Sequence, residues 1–205
     1  MDRRTTLKWV LATSTVWTLR RHQGAWADAA PAGRGYGTDP NLAANYHPGE
    51  LWPLAMTTVQ RRLARILSDI IIPSDERSPS ASQAGVVDFI DEWVSAPYSD
   101  FQRDRGIVLG GFTWLDTEAA RRFGKEFIEL DSARQLGMCD DICDGSRVTD
   151  SLREAARFFA LYRDLTAGGF YSTAIGRKDL DYIGNVPLAG FDGPPPALLK
   201  SLGLL

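Results

Sequence analysis

The sequence predicts an all-α protein, an irregular bundle of about five helices with an extended N-terminal arm and a long C-terminal loop. Three observations carry this. Between Thr57 and Gly168 apolar residues recur at helical spacing. No stretch alternates apolar and polar residues long enough to make a sheet. Both ends of the chain are rich in glycine and proline and follow neither period. The 205 residues are 44% hydrophobic and 24% charged with a formal net charge of -3, which fits one globular domain behind a leader. Without a basic excess, nothing points to nucleic acid.

Residues 1–27 read as an export leader. Arg3 and Arg4 are adjacent, Leu7 and Lys8 follow, and a modestly apolar run extends from Trp9 to Leu19. That run is too short and too rich in threonine and serine to span a bilayer comfortably. Ala25-Trp26-Ala27 then offers a small-x-small cleavage site. The order Arg-Arg-x-x-Leu-Lys resembles the twin-arginine signal, although Asp2 and Thr6 depart from its commonest form. The competing reading is an ordinary amphipathic N-terminal helix. A twin-arginine leader implies passage through the twin-arginine translocase to the periplasm as a folded protein, often with a cofactor or partner aboard. Residues 28–56 follow as an arm of Gly, Pro, Ala and Asn with few large aliphatics, in which Tyr36, Tyr46 and Trp52 can pin parts to a surface.

The helical domain is expected over residues 57–205. Thr57 or Thr58 can cap the first helix, with Val59, Leu63, Ile66, Leu67 and Ile70 on one face and Pro73 closing it. A polar Ser/Pro loop leads to a second helix over about Val86–Ser95, striped by Val86, Phe89, Ile90, Trp93 and Val94. Asp88, Asp91 and Glu92 fall on its outer side, as a solvated acidic face in preference to a catalytic carboxylate pair. The third helix covers roughly Ser99–Phe123, with Phe101, Val108, Phe112 and Leu115 as apolar positions. Gly110-Gly111 weakens its middle, where a kink or break is expected. Ser132 can cap a fourth, short helix ending near Cys143. Asp150 or Ser151 opens a fifth, with Leu152, Ala155, Phe159 and Tyr162 on one side and Gly168 as its stop.

The residues offer little catalytic chemistry. The chain has two histidines, His22 and His47, and His47 stands in the proline-glycine arm with no partner at ligand spacing. No phosphate-cradling Gly-x-x-x-x-Gly-Lys run occurs, and Gly110-Gly111 and Gly168-Gly169 lack the strand–helix context of a dinucleotide site. The chain is therefore expected to hold no flavin or nicotinamide of its own, no metal and no catalytic set. Cys139 and Cys143 flank Asp140 and Asp141, and two thiols cannot fill a tetrahedral thiolate site alone. Four-residue spacing puts both sulfurs on one helix face if the turn is intact. They are disulfide candidates, with each other or with a partner chain, and free thiols or a metal site are the other options.

The stretch from Gly168 to Pro196 stands apart. It is long and rich in glycine and proline, yet it carries Phe170, Tyr171, Tyr182 and Phe191. Disordered segments are poor in such rings, so this one is ordered by packing them on its own domain or on another protein.

Three stretches together resemble one family. They are Leu67-Ser68-Asp69-Ile70-Ile71-Ile72-Pro73, then Ala84-Gly85-Val86-Val87-Asp88-Phe89-Ile90-Asp91, and then Gly168-Gly169-Phe170-Tyr171-Ser172 continuing through Lys178-Asp179-Leu180 to Tyr182-Ile183-Gly184-Asn185-Val186-Pro187. In this order behind such a leader, the chain is similar to the gluconate 2-dehydrogenase subunit 3 family over roughly Thr57 to Asp192. Family members often have glycine just before the last tyrosine, where this chain has Asp181. The resemblance implies a non-catalytic small subunit of a periplasmic, membrane-associated dehydrogenase acting on CH–OH groups of sugars or sugar acids. It also implies an FAD-containing large subunit of the glucose-methanol-choline type, with electrons leaving through a cytochrome c subunit or another acceptor. In that setting the small subunit stabilises the large one and accompanies it through export. Gly168, Gly169, Phe170, Tyr171, Lys178, Tyr182, Gly184, Asn185 and Pro187 are the expected partner-binding residues. Glycines admit close backbone approach, and the rings can anchor in pockets. The alternative is a free-standing periplasmic module that binds a small ligand.

Overall fold

The computed structural model describes residues 46–182, 184, 190, 193–201 and 203–204. Arg3 and Arg4 lie outside the described residues. The chain divides into Met1–Trp52 and Pro53–Leu205. In the first unit, His47 and Glu50 close an exposed turn. The Glu50 N–H donates to the His47 carbonyl at 3.0 Å, and the His47 N–H donates to Glu50 Oε2 at 2.9 Å.

The second unit contains seven α-helices among its described residues: α1 (Thr58–Ile71), α2 (Val86–Ser95), α3 (Ser99–Phe123), α4 (Ser132–Asp140), α5 (Arg153–Ser172), α6 (Ala174–Asp179) and α7 (Pro196–Ser201). No strand occurs among them. The five predicted helices correspond to α1 to α5. The short helix α6 occupies part of the segment Gly168–Pro196 expected to be loop, and α7 begins at its last residue.

Helix α1 starts on a reciprocal cap. Thr57 Oγ1 accepts from Gln60 N at 3.2 Å, while Gln60 Oε1 accepts from Thr57 N at 2.9 Å. It stops at Ile71, ahead of Pro73. Leu63 and Leu67 are buried, but Val59 is 51% exposed, so the inner stripe begins one turn later than its spacing predicts.

Helix α2 has the predicted bounds, and Val86, Ile90 and Val94 face fully inward. Its acidic residues correct the sequence reading. Asp91 has no exposed surface. It accepts hydrogen bonds from Ala55 N at 3.2 Å, Met56 N at 3.0 Å and Ser95 Oγ at 3.3 Å, and pairs with Arg61 Nη1 at 2.6 Å. Asp88 engages the other arm of the same guanidinium. Burial works against the Arg61 charge, but hydrogen bonds and attraction from Asp88 and Asp91 outweigh it and raise the pKa. The physical reason for the correction is that residues 55–56 cross this side of α2, and their buried N–H groups require an acceptor.

Helix α3 runs unbroken through Gly110-Gly111. A Cβ on Gly111 would sit 2.0 Å from the Phe158 ring, so the missing side chain is what lets α3 meet α5. The central cluster follows from this closeness. Phe112 lies 6.0 Å from Phe158 and 5.6 Å from Tyr162 between ring centroids, at steep interplanar angles. The buried Tyr162 hydroxyl donates to the Ala64 carbonyl at 2.9 Å and lies 3.0 Å from Ser68 Oγ, tying α5 to α1. Burial pushes this phenol above its usual range.

Helix α4 is capped by Asp131, whose carboxylate accepts from Arg134 N at 3.0 Å, and Ser132 is its first residue. It ends at Asp140, short of Cys143. A 3-10 turn over Asp150–Leu152 opens into α5, which passes through Gly168 without stopping and ends at Ser172. A Cβ on Gly169 would lie 2.6 Å from the Phe89 ring, so that glycine serves close α2–α5 packing.

Candidate partner-docking site

The last turn of α5 sorts the predicted rings. Phe170 has no exposed surface and belongs to the core, whereas Tyr171 is 36% exposed. Phe170 is therefore corrected from a partner anchor to an internal one. Consecutive positions on a helix point about 100° apart, so one ring enters the core while its neighbour faces outward.

Thr173 makes the elbow into α6. Its N–H donates to the Phe170 carbonyl at 3.0 Å, and its hydroxyl oxygen accepts from Gly176 N at 3.0 Å. The elbow is tight: a Cβ on Gly176 would lie 2.2 Å from the Phe170 carbonyl oxygen. At its far end α6 closes in a Schellman turn. Asp181 N donates to the Lys178 carbonyl at 3.1 Å, and Tyr182 N donates to the Arg177 carbonyl at 2.9 Å. Asp181 holds φ +52°, the left-handed position that glycine ordinarily fills.

Arg77, from the loop between α1 and α2, fastens the turn. Its Nη2 donates to the Asp179 carbonyl at 3.2 Å and to Asp181 Oδ2 at 3.1 Å. Asp75 Oδ1 in turn accepts from Ser78 N at 2.9 Å and Arg77 N at 2.8 Å, and these bonds hold its carboxyl below the usual range.

The outcome is an exposed segment of mixed character. Tyr171, Ile175, Leu180 and Tyr182 are all exposed, Tyr182 to 58%. Arg177 and Lys178 are exposed and have no ion-pair partner among the described residues. Ala174, Arg177, Lys178, Asp181 and Tyr182 line one recess of about 460 Å³.

Of the predicted site residues, Lys178 and Tyr182 line this recess, and Tyr171 is exposed at the end of α5. Gly168 is exposed on α5, Gly169 is internal, and Gly184 is half-buried with φ +81°. Asn185 and Pro187 lie outside the described residues. Sequence reasoning missed Arg77, Arg177, Ile175 and Leu180. The signal for the Schellman turn was Asp181 before Tyr182; Arg77, 104 residues from Asp181, offered none.

Cys139 and Cys143 are both free. Cys139 is buried, which with the nearby Asp140 charge pushes its thiol up to about 12. Cys143 lies beyond the end of α4 and is exposed, with Sγ donating to the Asp140 carbonyl at 3.3 Å. The two sulfurs therefore do not share a helix face. Among the described residues no group of three or more His, Cys, Asp or Glu is placed to hold a metal, and no helix is long and apolar enough to cross a membrane. A second hollow of about 480 Å³ lies between α3 and α5, floored by Gly106 and Gly110 and walled by Ile107, Trp114 and Phe158.

A helical domain with exposed rings and unpaired cations gathered in the short segment 171–182 has the make-up of a subunit working against another protein. A family model described as Gluconate 2-dehydrogenase subunit 3 matches residues 58–193, and the chain belongs to that family. It is thus an accessory subunit of a dehydrogenase complex. No curated protein and no solved structure matches the chain.

Proposed function

We propose that this chain is the non-catalytic small subunit of a periplasmic, membrane-associated FAD-dependent sugar or sugar-acid dehydrogenase. It docks through the Tyr171–Tyr182 face on a flavin-bearing large subunit of the glucose-methanol-choline type. Family membership supports the role as a subunit. The leader supports export by the twin-arginine translocase, with the small subunit stabilising its partner and accompanying it. A cytochrome c subunit or another acceptor takes the electrons.

The observation that carries the docking reading is the concentration of exposed large apolar side chains. Four of them, Tyr171, Ile175, Leu180 and Tyr182, fall within one short segment. Clustered exposed apolar groups rimmed by charge mark interaction surfaces, whereas scattered ones are ordinary. Tyrosines suit this use because they bury large area for little lost rotamer freedom.

The test is co-purification of the full chain with its large subunit. Tyr171→Ala or Tyr182→Ala is expected to weaken the complex by about 1–2 kcal/mol, roughly five- to thirtyfold in Kd. Full retention of the complex with normal dehydrogenase activity overturns the reading. A second reading, a free-standing module for a small ligand, draws on the α3–α5 hollow. It predicts a chain that purifies from its host without a yellow companion.

A further inference from the structure

We propose that the recess at the foot of α6 receives an acidic segment of the large subunit. Arg177 and Lys178 meet its carboxylates, and the Tyr182 ring covers the contact. This rests on the docking reading above and adds the chemistry of the surface that meets it.

Ion pairs engage most arginines of the domain, including every guanidinium that reaches another element: Arg61 to Asp88 and Asp91, Arg77 to Asp181, and Arg122 to Asp141. Arg177 and Lys178 are adjacent and have no such partner among the described residues. Arg62 and Arg65 on α1 are likewise exposed and without an ion-pair partner among the described residues, but neither lines this recess. The pair on α6 differs because both line a recess together with an exposed ring.

The one carboxylate in that recess, Asp181, is already engaged by Arg77. Among the described residues it makes no salt bridge to Arg177 or Lys178. The helix end favours a cation here, since the last carbonyls carry partial negative charge. Yet the Schellman turn already supplies two of those carbonyls with N–H donors, leaving the side chains of Arg177 and Lys178 turned to solvent. A recess lined by two positive charges, one acid that pairs with Arg77 and a tyrosine ring is complementary to an acidic segment. Such complementarity acts mainly on encounter and register.

The experiment measures association of the full chain with the purified large subunit at about 50 and 300 mM salt, concentrations between which screening of exposed charges changes strongly. Arg177→Glu with Lys178→Glu is expected to slow association roughly tenfold at low salt and to flatten the salt dependence of the wild type. Arg177→Gln with Lys178→Gln falls between, and shows the effect without reversed charge on α6. If both pairs of substitutions leave rate and salt dependence unchanged while Tyr182→Ala still weakens the complex, this proposal fails and the docking reading stands. If Tyr171→Ala and Tyr182→Ala are also silent, both fail. Vesicles of phosphatidylcholine and phosphatidylglycerol supply the remaining arm. Vesicle binding lost in the Glu variant, beside an unaltered complex, assigns the face to lipid and overturns the proposal.

Discussion

At Asp91 a carboxylate with no exposed surface collects two backbone N–H groups, a serine hydroxyl and one arm of Arg61. Removing it strands the Met56 donor, takes from Ala55 one of its two acceptors (its N–H also donates to Ser95 Oγ at 2.7 Å), and leaves Arg61 with only the half-exposed Asp88. Breaking a buried pair from one side typically costs about 3–5 kcal/mol, because the remaining groups stay desolvated. Asp91→Ala is therefore expected to lose about that much in urea unfolding, whereas Asp100→Ala, at an exposed first-turn acid of α3 paired with Arg103, costs at most about 1 kcal/mol. Asp91 also marks a limit of one-dimensional reading. Its helix was legible to the residue, since Val86, Ile90 and Val94 repeat at the interval of a buried stripe. The strand of backbone that crosses α2 beside Asp91 comes from 35 residues earlier, and no local pattern announces it.

Between elements, the tightest seam is the one where Gly111 of α3 meets Phe158 of α5. A methyl group there cannot be accommodated unless the ring or the helices move. Gly111→Ala is expected to cost about 1–3 kcal/mol by overpacking. Gly110→Ala, which meets nothing within 4 Å, is expected to gain up to about 1 kcal/mol from helix propensity alone. Thermal unfolding of the two variants separates the effects by sign. The same pair explains why a break was expected in α3 and a stop at Gly168. Glycine lowers helix propensity wherever it occurs, and the sequence carries no mark distinguishing a glycine that ends a helix from one that admits a ring. Helices α1 to α5 were legible because their patterns outweigh such single residues. The elbow at Thr173 and the six-residue α6 were not, because a helix that short has too few turns to show a period.

For the domain as a whole, most ion pairs are exposed, and pairs of that kind contribute little. Glu118 is the best placed to register in acid. The Arg121 hydrogen bond lowers its carboxyl most, burial opposes this, Arg122 adds to it, and the result is a pKa of about 2 against an ordinary 4.5. Since the folded value lies below the unfolded one, the stabilisation is complete above about pH 4.5 and is lost as pH falls from there through about 2. Glu118→Gln should lower Tm at neutral pH by about 1–4 °C. The difference should close as the pH approaches 2, which a series of melts across that range would measure. At this scale the exposed part of the proposed docking segment was partly legible: rings among glycines and charges pointed to Tyr171, Lys178 and Tyr182, and all three are exposed. Phe170 was misassigned because a run read as loop assigns no inside or outside to its neighbours.

Phe170 and Tyr171 sit side by side on one continuous helix, the first sealed among hydrocarbon and the second open to solvent. Tyr171 is thus mounted on a rod whose root cannot turn without opening the interior. A neighbour that grips this tyrosine meets a fixed handle, and the force it applies is delivered straight into the centre of the bundle.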